Sequence, residues 1–139
     1  MTESYSLSGD SIPVMPLPHD CVIESIEVSD EYIVFRFEKN LYERASIQIV
    51  HPGADSLVIR YHLTDPCFYV YRQKKRRKRG EMPDYGYVEA DEFPSMASHR
   101  LEYINHYAGH NGMIVKLWSE GEIVIDLRAD IVEFEWTEK

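Results

Sequence analysis

The sequence predicts an all-β protein: a single antiparallel β-sandwich or partly closed barrel, with one short helix accommodated near 95–107. Three observations predict it. Apolar and polar residues alternate with period two along most of the apolar runs, β-branched and aromatic residues fill those runs, and turn-forming residues separate them. The 139-residue length suits one domain, and a 44% hydrophobic, 12% aromatic composition with ten Tyr belongs to a chain that packs a core.

Residues 1–18 contain four Ser and the prolines Pro13, Pro16 and Pro18, which predict an extended N-terminal arm, flexible at first and then laid on the domain. Regular structure is expected to begin near His19 and to continue as one antiparallel domain over 19–139. "CVIESIEV" leads through "SDE" into "YIVFRFEK", where Ile33, Phe35 and Phe37 alternate with Val34 and Arg36. "ASIQIV" reads as a further β-like run, stopped by the Pro-Gly signal of "HPGAD". "LVIRYH" follows, with Leu57, Ile59 and Tyr61 on one face. After "TDP", the aromatic run "CFYVYR" and the later "YGYVEA" read as two strands of a hairpin with a basic tip at 72–80.

"SMASHRLEYINHYAGHNG" fits two templates. Ala97, Leu101, Ile104 and Ala108 have helical spacing between Pro94–Ser95 and Gly109. The strand template puts Leu101, Tyr103 and Tyr107 on one face and makes "AGHNG" a hairpin loop, and the β-like neighbours favour it. The closing runs "MIVKLWS", "GEIVIDL" and "DIVEFEW" alternate again, joined by "SEG" and "RAD". The predicted core is Ile26, Val28, Phe35, Phe37, Ile59, Leu117, Ile125, Leu127, Val132, Phe134 and Trp136, with Glu24, Glu27, Glu133 and Glu135 on the solvent face.

Charge divides the chain unevenly. The formal net charge is −9, yet seven of the eight residues from Arg72 to Arg79 are basic, leaving 8 Lys/Arg against 24 Asp/Glu elsewhere, a formal −16. An acidic body repels nucleic acid and membrane surfaces and favours basic partners. No apolar run reaches the roughly 18 residues of a membrane-spanning helix. The polar, acidic opening lacks the basic and apolar regions of a signal peptide, so a cytoplasmic protein is expected. Cys21 and Cys67 form no CxxC, and in that compartment they are expected as reduced thiols.

The basic segment Arg72, Lys74, Lys75, Arg76, Arg77, Lys78 and Arg79 supports three readings. It binds an anionic ligand or nucleic acid, with Tyr69, Tyr71, Tyr85 and Tyr87 stacking on bases if exposed. Alternatively it docks on an acidic face of a protein partner or a second copy, or it is a solvated loop that blocks edge-to-edge aggregation. His99, His106 and His110 are the candidate metal ligands, because His106-x3-His110 would put two imidazoles on one helix face. On a hairpin that logic fails. His19-Asp20 enters the first strand after "PLP", where Asp20 suits a turn. The sequence contains no GxSxG, phosphate-binding loop, Rossmann glycines or catalytic-cysteine signature, and no cofactor is expected.

The opening "LPHDCVIESIEVSDEYIVFRFE" resembles a motif of small bacterial β-rich proteins, an HD-x-x-I-x-x-I stretch followed by an alternating strand. The matching residues are His19, Asp20, Ile23, Ile26, Ile33, Phe35 and Phe37, and "EIVIDLRADIVEFEW" looks like the close of such domains. Some of these proteins are similar to immunity proteins, antidotes that bind toxins. The resemblance implies a non-catalytic β domain that binds a protein. The functional expectation is therefore a non-enzymatic interaction domain, immunity-like or self-associating, with binding of an anionic ligand or nucleic acid through Arg72–Arg79 as the alternative and a metal-dependent enzyme third.

Overall fold

A computed structural model describes residues 1–74, 80, 82 and 84–138 of the chain. Its strands are β1 (Thr2–Ser6), β2 (Val22–Val28), β3 (Tyr32–Phe37), β4 (Ala54–Leu63), β5 (Tyr69–Gln73), β6 (Tyr85–Val88), β7 (Leu101–Gly109), β8 (Gly112–Trp118), β9 (Glu122–Leu127) and β10 (Ala129–Glu138). They form one antiparallel sheet in the order β1-β10-β4-β3-β2-β7-β8-β9-β5-β6. Among the described residues β1 and β6 are the edges, so the sheet stays open. This is the all-β class that the period-two alternation predicts.

The sheet has a weak seam. β2 meets β7 only at Val22↔Glu102 and Ile23↔Leu101, while the rest of β2 pairs with β3. The seam divides the sheet into a first half, β1-β10-β4-β3-β2, and a second half, β7-β8-β9-β5-β6. The inward side chains of both halves belong to a single buried cluster. A 3₁₀ helix, Phe93–His99, packs against β2. It delivers the fully buried Phe93 between Phe35 and Phe68, at centroid distances of 6.2 and 5.9 Å. Burying one such ring contributes about 2–3 kcal/mol.

The predicted core residues are all buried except Val28, which is half-buried at the end of β2 and packs on the cluster. The inward alternation of Leu57, Ile59 and Tyr61, and that of Val132, Phe134 and Trp136, is as the sequence reads.

Four local expectations are corrected. Regular structure begins at Thr2, not near His19: β1 pairs with β10, and Leu7 and Met15 from the following arm are buried in the core. "ASIQIV" is not a strand but the short helix α1 (Ala45–Val50). Its Gln48 amide donates to Leu41 O and Ala54 O, and its Oε1 accepts from Gly53 N–H, so one side chain organises the whole β3–β4 connection. Only Ile47 of α1 is buried, so tertiary context overrides the β-like pattern. "CFYVYR" enters the sheet only at Tyr69. The 95–107 segment splits between the two templates, the 3₁₀ helix ending at His99 and β7 starting at Leu101.

Within β7 a bulge changes the facing of the later residues. Tyr103 opposes Leu117, but Asn105 opposes Lys116, so one residue, Ile104, is left without a partner in the ladder. Beyond it the alternation flips. Tyr107 points outward rather than sharing the face of Leu101 and Tyr103, and His106 turns inward opposite Val115. "AGHNG" closes as a tight turn between Gly109 and Gly112, with Asn111 at a positive φ of 55°.

Candidate interaction surface

The basic segment grows out of the β5–β6 hairpin. Val70↔Val88, Tyr71↔Tyr87, Arg72↔Gly86 and Gln73↔Tyr85 pair, and Lys74 N–H donates to Asp84 O at 2.7 Å. Of the predicted binding residues, Arg72 and Lys74 are exposed at the end of this ladder. Lys75, Arg76, Arg77, Lys78 and Arg79 lie outside the described residues.

The hairpin's two faces differ. Val70 and Arg72 pair with the buried Ile125 and Ile123 of β9, which assigns them to the inner face. Lys74 runs along Gly86, on the side of Arg72. Tyr69, Tyr71, Tyr85 and Tyr87 therefore occupy the outer face, and they are 48%, 37%, 39% and 52% exposed. Tyr87 packs edge-on against Tyr71 and tilted against Tyr69, with centroids 6.1 and 6.3 Å apart. Four large rings on one exposed sheet face are far from the usual scattering of single apolar residues.

Register extends this face across three more strands. Val124 of β9 opposes Tyr71, Lys116 of β8 opposes Val124, and Trp118 opposes Glu122. Trp118, Tyr107 and Ile114 are exposed on the same side, and Lys116 Nζ sits 5.6 Å from the Tyr107 ring centroid. The tyrosines alone were legible as candidates. Trp118 and Tyr107 were not, because "MIVKLWS" carries apolar residues on both faces and the β7 bulge hides the parity of Tyr107.

Carboxylates border the rings. Tyr85 OH donates to Glu122 Oε1 at 3.1 Å. Partial desolvation first, and then this Glu122 contact, push the Tyr85 phenol up. Partial desolvation, followed by the charge of Glu89, raises Tyr87 likewise. Gln73 Oε1 accepts from Glu122 N–H and its side chain lies against Gly121, tying β5 to the β8–β9 turn. A cavity of about 840 Å³ opens at this end, lined among others by Arg72, Lys74, Tyr87, Trp118, Glu92 and Glu120.

The first half of the sheet has a different outer face. Arg36 Nε donates to Glu27 Oε1 at 3.1 Å, Arg60 Nη2 to Glu135 Oε2 at 3.0 Å, and His62 Nε2 lies 2.6 Å from Glu133 Oε1. This is a polar surface with two Arg–Glu ion pairs and one His–carboxylate contact, in keeping with the predicted solvent face of Glu27, Glu133 and Glu135. A second cavity, about 420 Å³, lies over it beside Tyr32, His62 and Glu133.

The three candidate metal ligands go to three places. His99 ends the 3₁₀ helix and its carbonyl accepts from Ser119 Oγ at 2.6 Å. His106 is on β7, turned inward, and His110 is in the β7–β8 turn. Among the described residues no group of three His, Cys, Asp or Glu is arranged to hold a metal ion. His106 has another role. The fully buried phenols of Tyr61 and Tyr103 lie 3.4 Å apart, and Tyr103 OH is 2.7 Å from His106 Nδ1. Burial lowers the His106 pKa, and its Nδ1, within hydrogen-bond distance of Tyr103 OH, closes this polar thread.

His19-Asp20 serves the bulge. His19 Nδ1 is 2.8 Å from Ile104 O, the bulged carbonyl, and Asp20 N–H donates to Tyr103 O. Asp20 adopts φ 63° in a turn closed by Cys21 N–H to Pro18 O. Cys21 is buried, which raises its thiol pKa to about 11, and Cys67 is exposed; both are free thiols.

Fold and surface together define an open antiparallel β domain with one ionic and one aromatic outer face. No family model, curated protein or solved structure matches the chain. No helix among the described residues is long and apolar enough to cross a membrane.

Proposed function

We propose that the protein is a non-enzymatic interaction domain that binds a protein partner through the outer face of β8-β9-β5-β6. One observation carries this reading: Tyr69, Tyr71, Tyr85, Tyr87 and Trp118 are exposed together on one outer sheet face. Tyr and Trp are enriched at protein interfaces because they bring large area at low entropic cost, with a polar atom at the tip. Glu89, Glu122 and Asp126 beside the rings suit the polar rim of such a patch.

The test compares the parent with a variant carrying Tyr69→Ser, Tyr71→Ser, Tyr85→Ser and Tyr87→Ser. In gently lysed producing cells the parent elutes in a complex and the variant elutes as a monomer. A parent that elutes as a monomer there contradicts the reading.

Binding of an anionic ligand or nucleic acid is the second reading. Arg72 and Lys74 border the 840 Å³ cavity with Tyr87 and Trp118 in its wall, which favours it. Glu92 and Glu120 share that wall, and these two cations lie on the opposite hairpin face from the tyrosines. This reading requires polyanion affinity that falls by about tenfold or more between 50 and 200 mM salt. An affinity unchanged when the basic residues become Ser or Gln removes it.

A further inference from the structure

The cavity over the first half of the sheet has an apolar floor inside a polar surface. Val34 alternates with the inward, fully buried Ile33 and Phe35, so it points outward, yet it is only 8% exposed. Its cross-strand neighbours Glu27 and Arg60 stand on either side of it, and Val28 lines the same floor. Tyr32 forms a wall. Ser29 Oγ accepts from the Tyr32 backbone N–H at 3.1 Å, and the Tyr32 ring meets His62 edge-on with centroids 4.8 Å apart. The volume, about 420 Å³, lies in the range of small-ligand pockets.

The carboxylates around this floor are not held alike. Glu27 accepts from Arg36 and Glu135 from Arg60, so both guanidiniums are engaged. Among the described residues no Lys or Arg lies within ion-pair distance of Glu133. His62 Nε2 comes within 2.6 Å of Glu133 but is not aligned to donate, and that nitrogen is itself buried without a hydrogen-bond partner. The Glu133 side chain is also the most shielded of the three carboxylates, at 25% exposure. A shielded, unmatched carboxylate beside an aromatic wall and an apolar floor suits a cation with an apolar body. An anion would meet Glu27 and Glu133, and the guanidinium it needs, that of Arg60, is taken by Glu135.

We propose that this cavity binds a small organic cation, its ammonium on Glu133 and its apolar body over Val28 and Val34 against Tyr32. The site lies on the half of the sheet away from the aromatic face and does not depend on the interaction reading.

An amide-resolved NMR titration of the purified full-length protein with 2-phenylethylamine tests this. Saturable shifts are expected at Val28, Tyr32, Val34, Arg60 and His62, with a dissociation constant of about 1 mM or below. The same skeleton bearing a carboxylate, 3-phenylpropanoate, is expected to bind at least about tenfold more weakly. Glu133→Gln keeps the shape of the side chain, removes its charge and weakens the amine at least about tenfold. Tyr32→Ala, at an exposed position, weakens it about threefold or more. Circular dichroism confirms that each variant is folded, and the comparison of amine with carboxylate holds in the parent whether or not Glu133→Gln folds. No saturable shift at the cavity by about 20 mM amine overturns the proposal. Equal binding of 3-phenylpropanoate overturns it as well, and so does an amine affinity that folded Glu133→Gln leaves unchanged.

Discussion

Tyr71 on β5 and Tyr87 on β6 face each other directly across the ladder, and their rings meet edge-on 6.1 Å apart on the outer face of the sheet. A cross-strand aromatic pair of this kind contributes about 0.5–1 kcal/mol when exposed. That is small beside what the same rings contribute when an interface covers them. Tyr87→Ala is therefore expected to lower unfolding stability by no more than about 1 kcal/mol in urea titration. A loss several times larger would mean the ring is a structural element rather than a surface one.

The buried thread makes a contrasting prediction. Tyr103 OH lies within hydrogen-bond distance of both Tyr61 OH and His106 Nδ1. Tyr103→Phe leaves both partners in the interior short of a bond and is expected to cost about 1–3 kcal/mol. Tyr61→Phe keeps the strong Tyr103–His106 bond and costs less. Equal costs in denaturant titrations would contradict the thread.

Acid should weaken the fold through His106. Burial lowers its pKa below the ordinary histidine value of 6.5. In that range the unfolded chain takes up a proton that the folded protein refuses. The contribution is whole above the ordinary value and is lost as the pH falls through it toward the depressed folded pKa. His106→Gln, titrated in urea from pH 8 to pH 5, is expected to lose less stability over that interval than the parent does. A parent and variant with parallel pH profiles would remove this role.

Gln48 should matter more than its exposed apolar neighbours. It makes three hydrogen bonds across the β3–β4 connection, whereas Ile49 is 82% exposed. Gln48→Ala is expected to destabilise by about 1–3 kcal/mol and Ile49→Ala to stay within about 0.5 kcal/mol. The reverse order in thermal unfolding would restore the strand reading of this segment.

The strands were legible where one face is buried and the other is wet. Leu57-Ile59-Tyr61 and Val132-Phe134-Trp136 announce themselves because burial acts on every second residue. The pattern misled where it was short or interrupted. Ile47 and Ile49 look like a strand, but Gln48, between them, bonds to Leu41, Gly53 and Ala54 and holds the segment as α1. Tyr107 follows a bulge, and the bulge is fixed by His19 and Asp20, which lie more than 80 residues earlier. A local window cannot see either partner.

The candidate surface was half legible. The hairpin flanking the basic segment was read correctly from "CFYVYR" and "YGYVEA". The reading that these tyrosines are sheet residues and the reading that they are exposed looked exclusive in sequence. In three dimensions both hold, because β6 is an edge strand and nothing among the described residues covers its outer face.

The central claim is that the aromatic face, and not the ionic one, carries the protein partner. Site-specific photo-cross-linking in producing cells tests it most directly, with a photoreactive phenylalanine at Tyr87 in one variant and at Tyr32 in another. The account predicts a discrete protein adduct from Tyr87 and none from Tyr32. An adduct from Tyr32 alone, or none from either, would contradict it.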